Sequence, residues 1–295
     1  TRPLQESSSN RCAIGAIYYS AMTISRRDLI RTAASATVGV AGGLLTERVV
    51  HRQRGLGLTE ITLQVQGWPD GLAGLTVGVL TDVHRSPWTS GDDVDAAVAL
   101  LMQRRPSVIL LGGDYVTWHD RSYAGPVAES LGALSAPHGV FAVLGNHDDE
   151  RDVPAALESR GIVVLRDQRT RLVIRGEAFE LAGIRFWTKR SGEIAAVIRG
   201  ATAPVVLLSH DPRRLTEAAG LGIPLVVSGH THGGQVVLPG LGAVAARKFP
   251  VLAGAARERQ TALFVSRGLG TVYVPVRVNC PPEVALLTLQ PARPV

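Results

Sequence analysis

Residues 75–84 read Leu75-Thr76-Val77-Gly78-Val79-Leu80-Thr81-Asp82-Val83-His84. A largely apolar, partly β-branched run of strand length stops abruptly at an Asp and a His two positions apart. Runs of the same kind recur at 108–111, 140–144, 162–165, 179–184, 205–208, 225–227, 262–265 and 284–289. Helix-like stretches lie between several of them, at 93–104, 127–134, 153–160 and 212–219. Strands alternating with helices predict a layered α/β domain. The later runs are closer together with fewer helices between them, which predicts an additional, more antiparallel sheet in the second half. No Pro/Gly/Ser-rich linker, charge block or internal repeat divides 58–292, so residues 55–295 read as one domain.

Five of these runs end in polar residues able to do chemistry. The first ends at Asp82-Val83-His84 and the second at Gly112-Gly113-Asp114. The third ends at Gly145-Asn146-His147-Asp148, the sixth at Ser209-His210-Asp211, and the seventh at Gly229-His230-Thr231-His232-Gly233-Gly234-Gln235. Ligand sites in α/β sheets form beyond the carboxyl ends of strands, so five such tips can converge on one place. Asp82 and His84 are two apart on an extended segment and share a face, as do His230 and His232. Imidazole and carboxylate without thiolate suit Zn, Mn or Fe and not an all-oxygen calcium site. Seven candidate ligands (Asp82, His84, Asp114, Asn146, His210, His230, His232) are too many for one tetrahedral ion and suit two ions sharing a carboxylate. Two ions ~3.5–4 Å apart clamp a phosphoryl group and generate hydroxide from a bridging water, the geometry of an in-line displacement. The flanking glycines permit sharp turns and close backbone approach.

Composition narrows the alternatives. At 295 residues with 45% apolar and 19% charged side chains, the chain is neither intrinsically disordered nor fibrous. No stretch reaches the ~18 uninterrupted apolar residues of a confident membrane span. Two cysteines, Cys12 and Cys280, exclude a disulfide framework and a Cys-rich zinc site. The formal charge of +6 is unevenly spread. Residues 1–54 carry eight Arg against Glu6, Asp28 and Glu47, whereas 55–295 carry 23 basic and 22 acidic residues. A nucleic-acid-binding domain needs a concentrated positive face, so no nucleic-acid partner is expected.

The basic segment reads as an export leader over residues 1–54. Ser25-Arg26-Arg27-Asp28-Leu29-Ile30-Arg31 precedes a weakly apolar run at 32–45. That order of charged and apolar regions makes an export signal, and the paired arginines resemble a twin-arginine (Tat) signal. Met22 reads as an alternative initiator, which leaves residues 1–21 without a role. The expected location is the cell envelope, membrane-associated or secreted.

The set D-x-H, G-G-D, G-N-H-D, S-H and G-H-T-H-G-G-Q, in that order, resembles the calcineurin-like metallophosphoesterases. It is most similar to their exported bacterial YkuE/YaeI-like branch, whose tail signals appear as Gly268-Leu269-Gly270 and Arg277-Val278-Asn279-Cys280-Pro281-Pro282-Glu283. The resemblance covers roughly 75–290. It implies a four-layer α/β/β/α sandwich of two mixed sheets and two divalent or trivalent metal ions (Mn, Zn or Fe). One ion would be held by Asp82, His84, Asp114 and His232, and the other by bridging Asp114 with Asn146, His210 and His230. His147 corresponds to the residue that contacts substrate phosphate and protonates the leaving oxygen, and Asp148 to the acid that often orients it. Arg85 departs from the smaller or apolar residues commoner after D-x-H, and reads as a further phosphate contact or a solvated side chain.

The function this implies is hydrolysis of a phosphoester, most directly a phosphodiester, by bridging hydroxide attacking phosphorus. The substrate would be an envelope phosphoester, lipid- or cell-wall-linked, met near the membrane by a monomer. The alternative is a non-catalytic metal-binding envelope protein that keeps the fold. Trp88 and Trp118 follow the first two tips and read as packing, with contact to a substrate's organic moiety as the second option. The segment 236–244 reads as strand and turn, with a lid as its alternative, and His119 as a surface loop residue.

Overall fold

In the computed structural model, residues 55–243, 248–249 and 251–293 are described, and the leader reading of 1–54 lies outside them. One sheet contains β1 (Gly57–Val65), β2 (Leu75–Leu80), β3 (Val108–Leu111), β4 (Val140–Ala142), β5 (Val163–Val164) and the last strand, β14 (Glu283–Pro291). Its order is β1-β14-β2-β3-β4-β5, with β2 to β5 parallel and β14 antiparallel to β2. Helices α1 (Gly91–Met102), α2 (Ala124–Leu131) and α3 (Asp152–Glu158) connect these parallel strands. The second sheet contains β6 (Gln168–Ile174), β7 (Glu177–Gly183), β8 (Val205–Leu208), β9 (Leu225–Ser228), β12 (Gly254–Glu258) and β13 (Thr261–Val265). Its order is β12-β13-β9-β8-β7-β6. Helices α4 (Ser191–Ile198) and α5 (Leu215–Gly220) pack on it, and a short hairpin, β10 (Val237–Leu238) and β11 (Gly242–Ala243), follows β9.

Period-two alternation explains the layering. In β3, Val108 and Leu110 face the second sheet while Ile109 and Leu111 face α1 to α3. In β8, Val206 and Leu208 enter the same inter-sheet core while Val205 and Leu207 meet α4 and α5. Three apolar clusters therefore lie between four layers, which is the α/β/β/α sandwich with two mixed sheets. Central strands are covered on both faces, so each must be apolar throughout, and this is why they read as unbroken runs. The second sheet has the larger antiparallel share, as expected, but only at its flanks: β6 on β7 and β12 on β13. Its centre, β7-β8-β9-β13, is parallel. Parallel centres in both sheets let several carboxyl ends deliver polar residues to one place.

Local signals agree with the element boundaries. Helix α1 begins at a capping box in which Ser90 Oγ accepts the Asp93 N–H at 3.2 Å and Asp93 Oδ2 accepts the Ser90 N–H at 2.8 Å. Within 236–243 the chain forms the β10–β11 hairpin, in line with the strand-and-turn reading; Val244 lies outside the described residues. Among the described residues, no helix is long and apolar enough to cross a membrane.

Candidate metal centre

The ends of β2, β3, β4, β8 and β9 carry all seven expected ligands. Asp82 and His84 follow β2, Asp114 follows β3, Asn146 follows β4, His210 follows β8, and His230 and His232 follow β9. Backbone bonds lock neighbouring tips together: the Asp82 N–H donates to Gly113 O at 2.9 Å and the His84 N–H to Asp114 O at 3.0 Å. The His230 N–H crosses between sheets to the Asp82 carboxylate, 3.0 Å from each oxygen.

Two triads result, Asp82–His84–His232 and Asp114–His210–His230, and within each the donor atoms lie within 4.8 Å of one another. Asp114 Oδ2 joins them, 3.4 Å from His84 Nε2 and 3.1 Å from His210 Nε2. Inside the first triad, His84 Nε2 and His232 Nε2 approach to 3.2 Å; inside the second, His210 Nε2 and His230 Nδ1 approach to 3.1 Å. Three of the four remaining ring nitrogens are occupied. His210 Nδ1 pairs with Gly112 O at 2.7 Å, His232 Nδ1 with Gly270 O at 3.3 Å and His84 Nδ1 with Thr117 Oγ1 at 3.1 Å. Partners of this kind fix ring orientation and leave the other nitrogen to a cation.

The site is also strained. Asp82, His84, Asp114, His230 and His232 all have positive φ, between 47 and 73°. Non-glycine residues seldom adopt this region, and those that do concentrate where function requires an unfavourable geometry. Close approach demands glycine nearby: a Cβ on Gly145 would overlap Asp114 Oδ1, and one on Gly229 would overlap Asp82 Oδ2.

The electrostatics ask for positive charge. Burial raises the Asp82 carboxyl above its ordinary range. Burial also opposes ionisation of Asp114, but the adjacent His210 and His84 outweigh it and hold this carboxyl well below the usual range. Burial lowers His210, yet the Asp114 and Asp82 carboxylates overcome that and push it up to about 10. His230 goes the other way, to about 3, through burial and the charge on His210. The carboxylates thus favour positive charge at His210, a demand that two metal ions would meet in place of a proton, since metal binding and ligand deprotonation are linked. Asn146 Oδ1 is buried without a hydrogen-bond partner, and its neighbours Gly145 and His147 both touch Asp114. An orphaned amide oxygen beside a carboxylate–imidazole cage is a vacant donor, and this donor set fits two borderline cations.

The other predicted site residues surround the cage. His147 Nδ1 accepts the Trp118 N–H at 3.1 Å, so the ring's proton belongs on Nε2. Burial pushes this imidazole down to about 4. Its ring stands edge-on to His84, centroids 4.9 Å apart, and to Trp118 at 4.6 Å. The Asp148 carboxylate accepts four backbone N–H groups, from Asp114 and Tyr115 at 2.8 Å, Gly145 at 2.9 Å and Val116 at 3.2 Å. Arg85 Nη1 donates to Ser86 O and Thr89 O, both at 2.8 Å, and its guanidinium lies 5.1 Å from the Tyr123 ring centroid. His119, read as a loop residue, pairs through Nδ1 with Asp148 O at 3.1 Å.

Sequence reasoning missed the groups behind the ligands. Thr117 carries no signal beyond following the G-G-D tip. Buried Arg277, quoted only as part of the tail, donates from Nε to Gly270 O at 3.0 Å and from Nη1 to His232 O at 3.3 Å, bracing the loop that orients His232.

Comparison with known proteins identifies the family of the chain. The family model "Calcineurin-like phosphoesterase" matches residues 75–234, from the start of β2 to the turn after His232, a span containing all seven candidate ligands. The chain is 30% identical over 277 residues to the phosphodiesterase YaeI of Escherichia coli (strain K12), covering 90% of this chain and 99% of that protein. It is 26% identical over 242 residues to the metallophosphoesterase YkuE of Bacillus subtilis (strain 168), covering 79% and 85%. Among solved structures, an archaeal phosphodiesterase superposes with a TM-score of 0.40 at 14% identity, over 67% of this chain and 87% of that one. On the family match and the near full-length relationship, the chain belongs to the calcineurin-like phosphoesterase family of metal-dependent phosphoester hydrolases.

Proposed function

We propose that the chain is a phosphodiesterase of the cell envelope, working through a dinuclear centre. The observation that carries this reading is Asp114 Oδ2, within 3.4 Å of an imidazole nitrogen from each triad, which ties two ligand sets into one centre. Asp82, His84 and His232 would hold one ion and Asn146, His210 and His230 the other, with Asp114 shared. Two ions so placed supply Lewis acidity and lower the pKa of a bound water.

The chain's own groups do the rest. His147 presents Nε2–H because its Nδ1 is engaged by the Trp118 N–H, and at neutral pH it is an uncharged hydrogen-bond donor. With Nδ1 engaged, this N–H can donate a hydrogen bond to a phosphoryl oxygen and to the departing oxygen, where negative charge develops, while the proton the leaving group finally takes up comes from solvent. Loss of one such donor typically costs ~10²–10³ in rate. Asp148 spends its oxygens on four backbone N–H groups, so its role is to set the position of Asp114 and the turn before Asn146. Arg85 adds positive charge beside the phosphate.

The diester reading draws on the relative named a phosphodiesterase and on open space beside the centre for a second ester arm. The envelope reading draws on the paired arginines and apolar run of residues 26–45, which would bring the enzyme near the membrane and to a lipid- or cell-wall-linked substrate. Both triads are complete within one chain, so the proposed centre needs no residue from a partner and a monomer would suffice. Purified protein supplied with Mn, Zn or Fe should hydrolyse bis(nitrophenyl) phosphate faster than nitrophenyl phosphate. Full metal loading with no hydrolysis of either ester, or preference for the monoester, refutes the assignment. Fractionation of tagged protein, with the Arg26→Lys/Arg27→Lys variant as control, tests the location.

A further inference from the structure

A cleft of about 390 Å³ opens beside the metal centre, within the size range of small-molecule sites. Three of its lining residues adjoin the cage. Arg85 follows the ligand His84, Thr117 bonds to His84 Nδ1, and Thr271 follows Gly270, whose carbonyl pairs with His232. Its mouth is aromatic: Trp88, Trp118 and Tyr273 are 71, 58 and 80% exposed. The Trp118 ring bridges outward from the chemistry, with its centroid 4.6 Å from that of His147 on one side and 5.2 Å from that of Tyr273 on the other.

This rim is held in place. The buried Gln235, last residue of the G-H-T-H-G-G-Q motif, donates from Nε2 to Val272 O at 3.0 Å and Val274 O at 2.9 Å, and accepts the Val272 N–H at 2.9 Å. Tyr273, between the two clamped residues, has φ 62°. Three hydrogen bonds from a side chain in the metal motif thus fix a strained backbone that presents an outward-facing phenol ring. Clustered exposed aromatics of this kind mark a binding surface.

Resting on the phosphodiesterase reading, we infer that this cleft binds one ester arm of the substrate and that this arm carries a planar aromatic ring, a nucleobase or an aryl group. Indole and phenol faces stack on such rings, and the Arg85 guanidinium adds attraction to a π face. Trp118 touches both the cleft and His147, so the arm in the cleft is the one whose oxygen His147 faces. An acyl chain would need an enclosed apolar groove. Here Arg85, Thr117, Asp120 and Thr271 alternate with the apolar lining, a wall suited to a flat group with polar edges.

The test compares diesters with and without rings: bis(nitrophenyl) phosphate, thymidylyl-thymidine and glycerophosphoethanolamine. In Tyr273→Ala and Trp88→Ala, the kcat/KM preference for the ring-bearing diesters over glycerophosphoethanolamine should fall about tenfold, chiefly through KM, as expected for loss of one stacking partner. A preference unchanged in both variants overturns the subsite while leaving the phosphodiesterase reading intact. Binding is read independently of turnover. Titration of the metal-free protein with thymidine monophosphate or phenyl phosphate should quench tryptophan fluorescence, more weakly in Tyr273→Ala, whereas glycerol phosphate should not. Stronger quenching by the thymidine ester assigns a nucleobase arm, and stronger quenching by the phenyl ester an aryl arm. Equal quenching by all three probes refutes the inference.

Discussion

Asp82, His84, Asp114, His210 and His232 stand at strand ends and are at most 3% exposed, each tied to a neighbouring tip by a backbone or side-chain bond. Trp88, Trp118 and Tyr273 stand on loops a few residues away, with their rings largely in solvent. The floor holds like-charged carboxylates and facing imidazole nitrogens in an arrangement that is unfavourable without cations. It persists because two sheets packed through one apolar core leave the tips no room to part. The rim carries strained backbone at Tyr273 under the Gln235 clamp, and its exposed rings displace nothing beneath them. On the function proposed above, chemistry falls to the most enclosed part of the fold and selectivity to loops where substitution is tolerated.

That division makes graded predictions. The largest effect belongs to Asp114→Ala, which removes the carboxylate common to both triads. Metal content by elemental analysis and hydrolysis should be lost together, and retained turnover would break the floor's claim to the chemistry. His147→Ala sits at the border between the two regions. Metal content should stay at the wild-type level while kcat falls ~10²–10³-fold, the loss expected for one positioned hydrogen-bond donor. Behind the floor, Thr117→Val removes the partner of His84 Nδ1 and should weaken metal affinity about 10–100-fold by titration calorimetry. The smallest effect is on stability at the rim. Trp88→Ala should change unfolding free energy by no more than about 0.5 kcal/mol in denaturant melts, as for other surface positions. A larger loss would mean that the rim is structural packing.

The parts legible in the sequence share a physical cause. Strands β2, β3, β8 and β9 are covered on both faces, so they appear as unbroken apolar runs, and the structure keeps 75–80, 108–111 and 205–208 at the residues expected. Strands β1 and β6 were not anticipated, because each is a sheet edge with much of its surface in solvent. Helix α4 escaped for a related reason: among its residues only Ile194 is fully buried, which leaves too faint an apolar stripe. Trp88 and Trp118, read as packing, prove exposed, because burial of a lone aromatic depends on which loops cover it and not on its neighbours in the chain.

The order of apolar runs and the ligating residues that end them were set by the sequence alone, since burial on two faces and metal affinity are properties of residue type and spacing. Which nitrogen of each imidazole is free, how closely the Asp114 carboxylate sits to both triads, and which ring stands over the cleft were decided only in three dimensions. Each depends on groups as distant as Asp82 and His230 coming within hydrogen-bond reach, and that contact exists only once two sheets have closed on their common core.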